Sequence, residues 1–224
     1  MFRPSNVESP MSKSTHSGPR PAFWLRWIGH LWLFVFGWRI HGRVPAELSR
    51  AIFIAAPHTT NWDLAFMLAG AWVLDVRLSW MGKHTLFTGL GGVALRWMGG
   101  VAVNRTAPHG LVSEAAEQIR SAEGGMWLAV PPEGSRSRKD TWRSGFYRIA
   151  QEAEVSILFG FLDYQNKRVG VLGTLETSGD LEADMNAIRQ AYEGIVGKFP
   201  ELQGPIRLRE QASPTDADAS EDAH

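Results

Sequence analysis

The chain contains no cysteine. That absence removes disulfide bridges, thiolate zinc sites and a cysteine nucleophile together. Net charge is also absent, with 23 Lys+Arg balancing 23 Asp+Glu. There is no internal repeat. The basic residues are scattered and form no stripe or known module, which argues against nucleic acid as a partner. A long apolar run is missing as well. The best candidate, the 18 residues between Arg20 and Arg39, is interrupted by Arg26, whereas a spanning helix needs roughly 20 residues. No small-x-small cleavage site follows it, so it does not read as a signal peptide.

A chain of 224 residues suits one domain with a sizeable core. Ten tryptophans are present, and Trp24, Trp27, Trp32 and Trp38 fall in one short segment. The charge is unevenly spread. Through Arg143 there are 16 Lys+Arg against 9 Asp+Glu; from Ser144 onward there are 7 against 14. A basic front part suits an anionic substrate or a membrane surface, and an acidic end favours solubility.

Residues 1–20 are rich in Ser, Pro and Gly and are expected to be disordered. Residues 21–40 are the most apolar. On a helical wheel Arg26, His30 and Gly37 share one narrow face, while Trp24, Trp27, Ile28, Leu31, Val35 and Trp38 fill the other. This pattern predicts a helix lying in the membrane interface. Residues 41–203 are expected to form the main domain, and 204–224 a loose acidic tail.

Within the domain, strands are expected at 38–44, 51–56, 77–81, 101–103, 126–130, 155–161 and 168–173. Helices are expected at 64–74, 86–98, 108–120 and 146–153. A last helix opens at Asp180, with Leu181, Met185, Ile188, Tyr192, Ile195 and Phe199 recurring at alternating four and three. Such alternation predicts an α/β layered domain.

Two stretches carry chemistry. Ala55-Ala56-Pro57-His58-Thr59-Thr60-Asn61-Trp62-Asp63 follows an apolar strand. Thr60 and Asp63 have capping-box spacing, which starts the helix near Asn61. His58 then lies on the loop and Asp63 in the first turn, where the two can meet. A carboxylate on one imidazole nitrogen fixes the tautomer and leaves the other nitrogen as a base. The second stretch is Glu133-Gly134-Ser135-Arg136-Ser137, after another apolar strand. Gly134 lets the backbone approach a ligand, and the Arg136 fork matches phosphate oxygens. Arg105 ends a further strand and is placed to close on the same anion.

His58-x4-Asp63, then Gly99-Gly100-Val101-Ala102-Val103-Asn104-Arg105, then Pro132-Glu133-Gly134-Ser135-Arg136-Ser137, in that order, resemble the glycerolipid acyltransferase family. Its best-known members are the 1-acylglycerol-3-phosphate acyltransferases. The resemblance runs from about Trp38 to about Tyr164. It implies a single α/β domain with a mixed, mostly parallel sheet flanked by helices and preceded by an apolar membrane-associating helix. It further implies acyl transfer from acyl-CoA or acyl-carrier protein to the hydroxyl of a lysophosphatidate, lysophospholipid or similar glycerophosphate. His58 would be the general base and Asp63 its orienting partner. Arg105, Glu133, Gly134, Ser135 and Arg136 would hold the acceptor. No metal or cofactor is implied beyond the thioester co-substrate. The implied partner is membrane lipid, at the cytoplasmic face.

The chain departs from the family pattern at Ala102 and Pro131, where Phe is common. The stretch Val155–Gly160 also lacks the two usual prolines. Acceptor identity and acyl-chain length are therefore left open. The alternatives are an acyltransferase for a non-phosphate lipid acceptor, a catalytically silent membrane-binding protein, and a hydrolase that admits water in place of the acceptor.

Overall fold

The computed structural model describes residues 2–4, 17–103 and 110–209. At its centre lies strand β3 (Arg50–Ala56), whose apolar run is buried on both faces, as a strand covered by helices on each side requires. Its neighbours are β6 (Met126–Val130) and β7 (Ser156–Asp163), both parallel to it. Beyond β6 the parallel ladder continues through β4 (Leu78–Lys83) and β5 (Gly100–Val103). Beyond β7 lies β8 (Arg168–Leu175), antiparallel. Strand β8 also pairs antiparallel with β1 (Phe2–Pro4) and parallel with β2 (Arg39–His41). The eight strands described form the mixed, mostly parallel sheet that the sequence implied.

Alternate side chains of β3 point to opposite sheet faces, and two cores result. Ile52 and Ile54 pack with helices α4 (Leu111–Ser121), α5 (Gly145–Ala153) and α6 (Leu181–Ala191). Ala51 and Phe53 belong to the other core, on the side of α2 (Trp62–Val73). Helix α1 (Phe23–Phe36) packs against α2 through Leu25, Gly29 and Leu33. The approach is close: a Cβ at Gly29 would stand 2.7 Å from the Ala69 carbonyl oxygen. Between β4 and β5 lie a 3-10 turn, His84–Phe87, and the short helix α3 (Gly89–Trp97).

Several expectations need correction. The first 20 residues are not uniformly loose: Phe2–Pro4 form an edge strand, and Gly18 is buried against the Trp127 ring. The apolar segment at 21–40 is helical only over 23–36. Gly37, at φ 70°, closes that helix, and Trp38 turns back into the core at 8% exposure. Among the described residues no helix is long and apolar enough to cross a membrane. The last helix stops at Ala191 because the chain turns through Gly194 at φ 75°, yet Ile195 still reaches the core. The tail begins later than residue 204, since Leu208 is fully buried and bridges Trp142. Residues 210–224 lie outside the described residues.

Candidate active site

Parallel neighbours end at the same edge of a sheet, and the loops after their C-terminal ends converge there. Strands β6, β3 and β7 are such neighbours. The loop after β3 carries His58, the loop after β6 carries Glu133 to Ser135, and the chain after β7 carries Tyr164.

His58 and Asp63 meet as expected, with His58 Nδ1 3.1 Å from Asp63 Oδ2. Asp63 is 3% exposed and its carboxylate is well supplied with donors. Oδ2 also accepts the backbone N–H groups of Thr59 at 2.8 Å and Thr60 at 2.9 Å. Oδ1 accepts the Tyr164 hydroxyl at 2.7 Å. The reach back to Thr60 is one half of the expected capping box. The other half differs: Thr60 Oγ1 accepts the Trp62 N–H, at 3.4 Å. The helix begins where the spacing predicted, after Asn61.

A buried carboxylate held by these donors is fixed in position and orients the ring beside it. Burial, followed by the bond to Asp63, pushes the Tyr164 phenol far above its ordinary range. It therefore stays a donor at any physiological pH. The Nδ1–H tautomer leaves His58 Nε2 as the acceptor nitrogen, and His58 lines a cavity of about 680 Å³.

That volume suits a small-molecule or lipid site. Most of the wall is apolar, with Leu64, Met67, Trp80 and Leu95 among its residues, while His58, Ser135 and Arg136 supply polar groups. Arg136 is exposed and makes no ion pair among the described residues. Ser135 Oγ lies 3.0 Å from Ser137 Oγ. Gly134 adopts φ 69°, and a Cβ there would meet Arg143 Nε at 2.8 Å. Glycine is needed at that turn for both reasons.

Glu133, expected on the acceptor, has its carboxylate turned to the loop that carries His58. It is 7% exposed and does not line the cavity. Both its oxygens face the backbone N–H of His58, at 3.1 and 3.2 Å. Burial raises its pKa to about 7, against the opposing pull of the His58 N–H. Glu133 thus anchors the loop that carries the imidazole. Arg105, the remaining expected site residue, lies outside the described residues. Among the described residues no cluster of three His, Cys, Asp or Glu could hold a metal ion.

The Tyr164 contact was not legible beforehand. Its only sequence signal was a polar pair, Asp163-Tyr164, at the end of an apolar strand. Of the two, Asp163 turns away to Arg168 at 2.7 Å.

Comparison with known proteins gives the family and the fold. A family model described as Acyltransferase matches residues 38–158. Lysophosphatidylcholine acyltransferase 2 of Rattus norvegicus is 31% identical over 211 residues, 90% of this chain. The same enzyme of Mus musculus is 27% identical over 211 residues. The chain spans 37% of the length of both relatives. Among solved structures, the 1-acyl-sn-glycerophosphate (LPA) acyltransferase PlsC from Thermotoga maritima superposes with a TM-score of 0.53. That match covers 76% of each chain at 14% identity, and it establishes likeness of fold.

Proposed function

The chain belongs to the Acyltransferase family, and from that premise we propose that it moves a fatty acyl chain from a thioester donor to a lysophospholipid hydroxyl. The donor is acyl-CoA or acyl-carrier protein. The acceptor is a lysophosphatidate, a lysophospholipid or a similar glycerophosphate. The observation that carries this reading is the His58–Asp63 pair standing in a large, mainly apolar cavity that also holds Arg136.

In the proposed step the acceptor oxygen gives its proton to His58 Nε2 and attacks the thioester carbonyl carbon. The C–O bond forms and the carbonyl π pair moves onto oxygen. The tetrahedral intermediate then collapses, the C–S bond breaks, and the departing sulfur takes the proton from His58. No residue of the protein is acylated, so the absence of cysteine is no obstacle. General-base assistance of this kind contributes about 10²–10⁴-fold. Asp63 stabilises the imidazolium that forms between the two half-steps. Arg136, with Ser135 and Gly134 beside it, is assigned to the acceptor phosphate. The apolar wall is assigned to an acyl chain.

The proposed reading includes membrane association at the cytoplasmic face, and the outer side of helix α1 supports the membrane contact. Phe23, Trp27, Leu31 and Phe34 are exposed on its outer side, and the helix carries no acidic residue. The test is product analysis by mass with the purified chain, an acyl-CoA or acyl-carrier donor, and a panel of lysophosphatidate, lysophospholipids and a non-phosphate monoacylglycerol. A diacylated phospholipid is the expected product. Free fatty acid alone would convert the reading to a hydrolase, and acylation of the monoacylglycerol alone would remove the phosphate from it.

A further inference from the structure

Helix α3 has two apolar sides. Leu95 lines the 680 Å³ cavity. Leu90 is 91% and Val93 62% exposed on the outside. A short helix with apolar residues on both its inner and its outer side calls for a cover on the outer one. It is nevertheless held firmly at its root. Gly92 packs so tightly on the backbone of Phe87 that a Cβ there would overlap it, and Phe87 rests on Trp80 of β4 with ring centroids 5.8 Å apart.

The outer side of α3 is continuous with that of α1. Trp24 and Trp97 stack at 5.4 Å and 15°, so the exposed residues of both helices join into one apolar surface. Charge selects what covers it. From Val76 through Val112 the sequence has no acidic residue, while Arg77 and Arg96 are basic and exposed. Tryptophan beside cations and apolar tips is the composition of an element lying at the headgroup level. Leu86 is 55% exposed and also lines the cavity, so the mouth of the cavity opens at this surface.

We propose that the segment Leu86–Trp97 inserts beside α1 into the interface of an anionic bilayer, so that the cavity mouth faces the lipid. The inference rests on the membrane-associated reading given above and adds a second inserting element to it. Lipid would then enter along Leu86 without crossing bulk water.

Because the chain has no native cysteine, single labels can be placed cleanly. A polarity-sensitive fluorophore at Leu90→Cys is compared with one at Leu31→Cys on α1 and one at Gln190→Cys on α6, across the sheet. Each protein is mixed with phosphatidylcholine vesicles, with or without phosphatidylglycerol, and then with vesicles carrying a shallow acyl-chain quencher. The labels at 90 and 31 are both expected to shift to the blue and to be quenched, more with phosphatidylglycerol present, while the label at 190 stays unchanged. Quenching at 31 without quenching at 90 would overturn the inference and leave the proposed function standing. Quenching at neither would overturn both membrane statements, though not the reaction, which product analysis with a dispersed short-chain acceptor decides separately. A change at 90 that needs no vesicles and grows with protein concentration would assign the surface to a second copy of the chain. In addition, the double variant Leu90→Glu/Val93→Glu should lose about tenfold or more in partitioning to anionic vesicles. It should keep its turnover of the dispersed short-chain acceptor. Unchanged partitioning would contradict insertion.

Discussion

Tyr164 Oη donates to Asp63 Oδ1 at 2.7 Å across a sequence separation of 101 residues. The other oxygen of the same carboxylate faces His58 Nδ1, so the phenol bears on the imidazole through its partner. The Tyr164 ring is held edge-on by Trp38 at 4.8 Å, the residue that returns from α1 to the core. In the proposed reaction Tyr164 is accordingly a positioning residue.

Tyr164→Phe keeps the ring and removes the donor. Turnover should fall about tenfold, as expected for the loss of one hydrogen bond to a charged group, with little change in KM. The lost donor leaves the carboxylate less firmly held against the ring, so the loss should fall on kcat while Tm stays close to wild type. A purely structural role for Tyr164 would lower Tm together with the rate.

Asp63→Asn should be far more damaging to rate than to folding. The Asn carbonyl at the Oδ2 place can still accept from Nδ1 and from the backbone of Thr59 and Thr60, with its NH2 turned to Tyr164 Oη, but a neutral amide no longer stabilises the imidazolium of the proposed step. A fall of about 10³–10⁴ in kcat is expected, the size seen when a triad carboxylate is so changed. Asp63→Ala should in addition lower Tm, because the N–H groups it caps lose their acceptor. Calorimetry beside steady-state kinetics separates the two effects.

The Glu133 carboxyl gives a pH signature of stability. Its folded pKa is raised from 4.5 to about 7 by burial. The folded protein therefore binds this proton more tightly than the unfolded chain. The contribution is most favourable at low pH, declines as pH rises from about 4.5 to about 7, and is flat above. A swing of roughly 3 kcal/mol follows from that shift. In Glu133→Gln the decline should vanish, so urea unfolding of the two proteins between pH 5 and 8 should differ in slope. Parallel curves would contradict it.

Arg136→Ala should raise KM for a phosphate-bearing acceptor by about tenfold or more and leave acceptors without phosphate unaffected. Equal loss on both acceptor types would show that Arg136 holds the loop and does not hold the phosphate.

Much of the fold was legible in the sequence. The apolar runs at 51–56 and 126–130 became β3 and β6 with almost the expected bounds. The Thr60/Asp63 spacing placed the start of α2 and with it the His58–Asp63 contact, because both are local. What was not legible depends on strand order. Glu133 was placed on the acceptor by the family resemblance, together with Gly134, Ser135 and Arg136. Only the parallel pairing of β6 with β3 brings its carboxylate under the His58 backbone. Tyr164 required the pairing of β7 with β3 on the other side. The short Phe2–Pro4 strand was hidden for a similar reason, since its stability comes from the β8 edge and the stacking of Phe2 on Phe159 at 5.7 Å.

The most direct measurement compares wild-type and His58→Ala proteins under saturating acyl thioester and lysophospholipid, with the acylated lipid quantified by mass and folding checked by circular dichroism. A diacylated product formed by the wild type and reduced about 10²–10⁴-fold in the variant is the expected result. A folded His58→Ala protein that turns over at the wild-type rate would contradict the assignment of His58 as the base.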